Sequence, residues 1–147
     1  MMNTVRILRR TAAVTAALLL AACAANGPTV SGNWKDVGTT SNGNIKASID
    51  MDSIKKNGHV VTFRDKKTVL KPNEERYTNL PKYKTAVGEW EINCQNKTYR
   101  LTALKLLDSN GSTLTDERYT AVNLRPMSIT LGSITAKQYE TVCKRKL

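Results

Sequence analysis

The chain has 147 residues, with 23 Lys and Arg against 12 Asp and Glu, one histidine, three cysteines and a formal net charge of +11. That length suits one domain with a modest core and a short leader, and is too small for two domains. The basic balance points to anionic partners and carries no information about fold.

Arg6, Arg9 and Arg10 precede an apolar or small stretch over 11–22, densest at Leu18, Leu19 and Leu20. This is the length of a secretory signal core and falls short of the roughly 18–20 apolar residues needed to span a bilayer. It ends in Leu20-Ala21-Ala22-Cys23, which resembles the lipobox of bacterial lipoproteins. The resemblance implies removal of a signal peptide (1–22), a diacylglycerol on the Cys23 thiol, acylation of the new amino group and anchoring in the outer membrane. Cleavage there leaves 125 residues with 20 basic and 12 acidic side chains, a net charge of +8. With Cys23 carrying lipid, Cys94 and Cys143 remain, and an oxidising envelope makes their pairing the default. The chain-entropy model gives such a 49-residue loop about 4 kcal/mol of stabilisation. For an exported protein the anionic partners are acidic glycans, lipopolysaccharide phosphates or acidic protein faces. Nucleic acid would need a cytoplasmic address and is disfavoured.

Residues 24–33 are small, polar and turn-prone, and read with Cys23 as a lipidated, flexible tether (23–33) ahead of a domain over 34–147. A first strand is expected over 34–39, followed by a turn at Ser41-Asn42-Gly43. In 44–54, Ile45, Ala47, Ile49 and Met51 alternate with Lys46, Ser48, Asp50 and Asp52, the pattern of a half-buried strand. Asn57-Gly58 turns it into a second strand over 59–70, with Val61, Phe63 and Asp65 on one face. Residues 71–82 contain Pro72, Pro81 and a charged run, and read as a long loop. A strand over 83–94 places Ala86, Gly88, Trp90, Ile92 and Cys94 on one face, the buried side of the sheet. Another over 97–107 places Tyr99, Leu101 and Ala103 together. Asp108-Ser109-Asn110-Gly111 signals a turn into a returning strand over 113–119. Residues 121–131, with Pro126, read as an edge segment or a covering loop.

The last element reads as a helix. Thr135 and Gln138 have capping-box spacing, and Ala136, Tyr139, Val142 and Cys143 form an apolar stripe. Lys144, Arg145 and Lys146 then lie where positive charge complements the helix dipole. The fold class is therefore α+β: an antiparallel sheet of about six strands with a C-terminal helix on one face, tied to it by a disulfide. Three Asn-Gly turns without strand–helix alternation argue against a parallel sheet.

The succession Ile49-Asp50-Met51-Asp52-Ser53-Ile54, Gly58, Val60-Val61-Thr62-Phe63, Glu91-Ile92-Asn93-Cys94, Asp108 with Gly111, and Gly132-Ser133 ten residues before Cys143 resembles the surface-adhesin protein E family of Gram-negative lipoproteins and exported proteins. It spans about residues 45–143. The resemblance implies the same six-stranded sheet and helix, joined by a Cys94–Cys143 disulfide. It further implies a surface-displayed adhesin for host matrix and serum proteins such as vitronectin and laminin, with a homodimer as an assembly open to it.

Enzyme chemistry finds little footing, and no catalytic residue is assigned. His59 sits beside a hairpin glycine, as an exposed turn histidine does. Asp50 with Asp52, or Glu74 with Glu75, could be called carboxylate pairs, but the first two alternate on the polar face of a strand and the second two lie in a charged loop. Two cysteines 49 apart and one distant histidine lack zinc-ligand spacing, and the turn at Asp108 lacks the further acids of a calcium loop. No metal or cofactor is expected. The binding candidates are Lys66, Lys67, Lys71, Tyr77, Lys82, Tyr83 and Lys84, on and beside the long loop, where cations and aromatic contact area meet. Against the adhesin reading stands a housekeeping envelope lipoprotein that faces the periplasm and has no host ligand.

Overall fold

The computed structural model describes residues 27–120 and 124–147. The proposed lipidation residue, Cys23, and the signal segment lie outside them. Strands β1 (Trp34–Thr39), β2 (Ile45–Asp50), β3 (Lys55–Asn57), β4 (Val60–Val69), β5 (Thr85–Asn93), β6 (Thr98–Leu107), β7 (Thr113–Arg118) and β8 (Met127–Ser128) are followed by a single helix, α1 (Ile134–Cys143). The strands form one antiparallel sheet in the order β1-β2-β4-β5-β6-β7, with short β3 beside β4 and β8 beside β6. The expected architecture is thus present.

The expected strand over 44–54 stops at Asp50, because Asp50 accepts a hydrogen bond from the Asp52 N–H and turns the chain into one 3₁₀ turn, Met51–Ser53. The chain then re-enters the sheet as β3. The β3–β4 hairpin closes on the Asn57–Val60 pair, so its two loop residues are Gly58 and His59, one position beyond the expected centre. Gly58 has φ +60°, a conformation that suits glycine at the first loop position.

One face of the sheet carries the main core: Ile49, Val61, Phe63, Ile92 and Cys94 pack with Tyr139 and Val142 of α1. The register between β5 and β6 steps between Glu89–Ala103 and Trp90–Leu101, leaving Thr102 as an extra residue on β6. This bulge corrects the expected alignment of Leu101 with Ala103. A one-residue step exchanges the two faces, so Tyr99 and Leu101 share the helix side with Leu104 and Leu106, while Ala103 turns to the opposite face. The same step explains why the sequence of β6 looks apolar on both sides.

Two expectations about α1 are also corrected. Its N-cap is Ser133, whose Oγ accepts from the Ala136 N–H at 3.1 Å, and not Thr135. Gln138 does no capping; it is buried, and its Nε2 donates to Asp65 Oδ2 at 2.7 Å. The Asp65 carboxylate is itself 1 % exposed and also receives Trp90 Nε1 at 2.7 Å and the Lys67 ammonium. A buried carboxylate is tolerable only with its lone pairs occupied in this way. Gly88 makes room for the network, since a Cβ there would lie 2.6 Å from Trp90 Nε1 and 3.0 Å from Asp65 Oδ1. The helix ends at Cys143, with Lys144 in the left-handed conformation (φ +54°), so no basic residue sits in its last turn. Arg145 instead folds back to donate to the Cys94 carbonyl, which also accepts from the Tyr139 hydroxyl at 2.9 Å.

The Cys94–Cys143 disulfide joins the end of α1 to the end of β5, with a Cα–Cα distance of 5.7 Å. Its loop of 49 residues corresponds to about 4 kcal/mol in the chain-entropy model. A Cys94→Ala/Cys143→Ala double variant is expected to lose about that much in urea unfolding. Gln138→Ala, which deprives buried Asp65 of a donor, is expected to lose about 1–3 kcal/mol in the same assay.

Candidate functional site

The opposite face of the sheet is where the sequence reading changes most. Alternation places Asp50, Thr62, Arg64, Lys66, Val87, Glu89, Glu91, Ala103 and Lys105 there. From Gly27 onward the expected flexible tether is laid across this face, so that expectation is corrected for residues 27–33. The Gly27 N–H donates to the Asp116 carboxylate on β7. Arg64, in the middle of the sheet, donates to the carbonyls of Thr29 at 2.8 Å and Ser31 at 3.0 Å, and to the Thr29 hydroxyl. The Asn33 N–H donates to Asp50 Oδ1 at 2.9 Å, and its carbonyl accepts from the Met51 N–H at 2.9 Å. Trp34 Nε1 closes the path by donating to the Val30 carbonyl at 3.1 Å. Pro28 is fully buried, as are Val87 and Ala103 on the face the segment crosses. The strap is held mainly through its backbone, and for that reason its side chains advertise nothing.

Arg64 is the centre of this arrangement. Its guanidinium also pairs with Asp50, whose side chain is 3 % exposed, and lies 5.6 Å from the centre of the Trp34 ring. Burial works against the charged form of Asp50. Hydrogen bonds from Arg64 and from the N–H groups of Asn33 and Asp52 outweigh it, and hold the carboxyl below the ordinary aspartate value.

Beside the strap lies an open trough of about 600 Å³, lined by Asp50, Asp52, Lys55, Arg64, Glu89 and Glu91 among others. Its charges are largely cancelled within the protein. Arg118 clasps Glu89 with both terminal nitrogens, at 2.6 and 3.1 Å, and Arg100 pairs with Glu91. Asp50 and Asp52 therefore do not act as a carboxylate couple: one is bound to Arg64, and the other accepts from Asn33 Nδ2 at 3.2 Å. Glu75 accepts from Asn44 Nδ2 at 2.9 Å, while Glu74 pairs with Lys71 at 3.4 Å. Asp108 accepts from the N–H groups of Asn110 and Ser112 at 2.8 and 2.9 Å, as a turn residue does. His59 is exposed in its hairpin. Among the described residues no three metal-ligating side chains come together.

The seven binding candidates do not form one surface. Lys66 and Lys67 point to opposite faces of β4. Lys66 lies 4.7 Å from the Trp34 ring centre, and Lys67 lies 4.8 Å from that of Trp90 while paired with buried Asp65. The other five do cluster in the loop at the end of the sheet. Tyr77 and Tyr83 meet edge to face at 5.1 Å, and the Tyr77 hydroxyl donates to the Tyr83 carbonyl at 2.8 Å. Burial raises both phenol pKa values, with Glu75 adding to the effect. Lys84 donates to the Leu70 carbonyl at 3.0 Å, Lys82 to Asn73, and Lys71 pairs with Glu74. Leu70 and Leu80, 49 % and 44 % exposed, lie in the same loop and were not among the candidates. Their only signal in the sequence is an apolar residue in a charged loop.

The site is thus a disulfide-stapled antiparallel sheet with a helix on one face and the strap on the other, and the charges of its trough are largely paired within the protein. The family model for surface-adhesin protein E matches residues 34–144, and the chain belongs to that family; it is an adhesin-like surface protein. Among solved structures it is similar to protein E of Haemophilus influenzae. Crystal form II is 16 % identical, with a TM-score of 0.52 over 82 % of this chain and 94 % of that one. The selenomethionine form is 16 % identical, with a TM-score of 0.51 over 82 % and 93 %. At that identity the likeness concerns the fold. No curated protein sequence matches the chain significantly.

A pH dependence follows from Asp50. Its carboxyl is held below the ordinary value, so the stability it contributes is present in full above the unfolded aspartate pKa of about 4 and is lost as pH falls through the lower folded value. Asp50→Asn is expected to flatten the acid limb of a urea-midpoint-against-pH curve. It should also raise amide exchange in residues 29–33 at neutral pH.

Proposed function

We propose that this protein is anchored in the outer membrane through lipid on Cys23 and displays its domain at the cell surface, where it binds host matrix or serum proteins such as vitronectin and laminin. The observation that carries this reading is membership of a surface-adhesin family over 34–144. The lipobox at 20–23 supports the anchor, and the basic excess supports partners with acidic faces. Recognition runs over a broad surface, since the described concavities are open and the trough charges are already paired. The loop with Lys71, Tyr77, Lys82, Tyr83 and Lys84 supplies a rigid aromatic pair among cations; Lys66 contributes from the strap-crossed face, and Lys67 is occupied with Asp65.

The test is binding of the full mature protein to immobilised vitronectin and laminin across a salt series. Saturable binding that weakens as salt rises is expected, because exposed charges are screened over about 8 Å at physiological ionic strength. Absence of saturable binding at physiological salt removes those two partners. Protease treatment of intact cells should cut the domain; full protection would favour the periplasm-facing housekeeping lipoprotein. Sedimentation of the detergent-solubilised protein decides whether it forms a homodimer.

A further inference from the structure

The strap fixes where the N-terminus leaves the domain. Its bonds run from Asp116 on β7, through Arg64 on β4, to Asp50 on β2, crossing the sheet at a steep angle to the strands. Gly27, the first described residue, therefore lies at the β7 edge, although the first strand of the domain, β1, is the opposite edge. Five strand spacings of about 4.8 Å put those edges about 24 Å apart.

Only residues 24–26 separate Cys23 from Gly27. Four Cα steps reach at most about 14 Å, against about 38 Å for the eleven steps from Cys23 to Trp34 if the strap were free. Leu114, 41 % exposed, lies on β7 two residues before Asp116 and is an apolar side chain close to that exit. We propose that residues 27–33 are a docking strap that holds the domain on its own membrane, with the β7 edge against the lipid headgroups and the β1 edge outward. This rests on the reading of Cys23 as the lipidated residue. The partner of the β7 edge is the headgroup surface. The surfaces left for other macromolecules are those toward β1, including α1, which packs against β1.

The experiment uses the full lipidated protein in phosphatidylethanolamine–phosphatidylglycerol vesicles with a dansyl-labelled headgroup, reading energy transfer from Trp34 and Trp90. The comparison protein carries ten Gly and Ser residues inserted between Ala24 and Ala25, which lengthens the lead without touching the fold. Pro28→Asp tests the strap, because it places a charge at a buried position outside the sheet; a single cooperative thermal transition, even at a lower midpoint, with the Cys94–Cys143 disulfide intact shows that the domain has stayed folded. Transfer in the native protein is expected to be at least twofold above that of the insertion variant, with Pro28→Asp falling to the insertion level. Native transfer no higher than the insertion variant's, or Pro28→Asp transfer equal to native, overturns the inference even with Cys23 lipidated. Mass spectrometry showing unmodified Cys23 overturns the anchoring reading and the inference together.

Discussion

Two neighbouring side chains in the central strand, Arg64 and Asp65, hold a covering layer to each face of the sheet. Alternation along β4 sends them in opposite directions. Asp65 accepts from Gln138 and so draws α1 onto one face; Arg64 donates to the carbonyls of Thr29 and Ser31 and so draws the N-terminal strap onto the other. Each is a buried or half-buried charge with a counter-charge beside it, Lys67 for Asp65 and Asp50 for Arg64. A β-sheet of this size needs apolar cover, and here the cover is positioned by polar groups whose desolvation is tolerated only when every partner is in place. Shape follows from that requirement.

The two layers differ in kind. The helix side is built from Ile49, Val61, Phe63, Ile92, Tyr139 and Val142, with a disulfide at its end. Burial at about 1.5–3 kcal/mol for each large apolar side chain dominates there. The strap side buries only Pro28, Val87 and Ala103 as apolar side chains and otherwise relies on hydrogen bonds, each contributing about 0.5–1.5 kcal/mol net. Local opening is governed by the cheapest set of contacts. The strap is thus held less firmly than the helix, which has the larger apolar contact and the disulfide.

Much of the sheet could be read from residue order alone. Val61, Phe63 and Asp65 show their common face by simple alternation, and Asn-Gly pairs punctuate the hairpins because left-handed backbone is cheapest there. What escaped were features without a local pattern. The Thr102 bulge flips the faces of β6 with no residue type that demands it. Gln138 has the spacing of a cap, yet its amide reaches a carboxylate 73 residues away. The strap has the composition of a tether, since backbone-mediated docking leaves Gly, Pro, Thr, Val, Ser and Asn looking unconstrained. The one available hint was Asp50 followed by Arg64, two charges at strand positions with no stated partner. The five loop residues among the binding candidates were legible as a group because they are close in sequence.

Lys66 and Lys67 show what folding does to a contiguous stretch of charge. Side by side in the chain, they stand on opposite sides of the sheet, one over Trp34 and one over Trp90. A synthetic peptide copied from this segment presents both ammonium groups together, a grouping the folded domain never displays. Antibodies raised against such a peptide would therefore select for unfolded chain, since in the native domain no one binding face holds both Lys66 and Lys67.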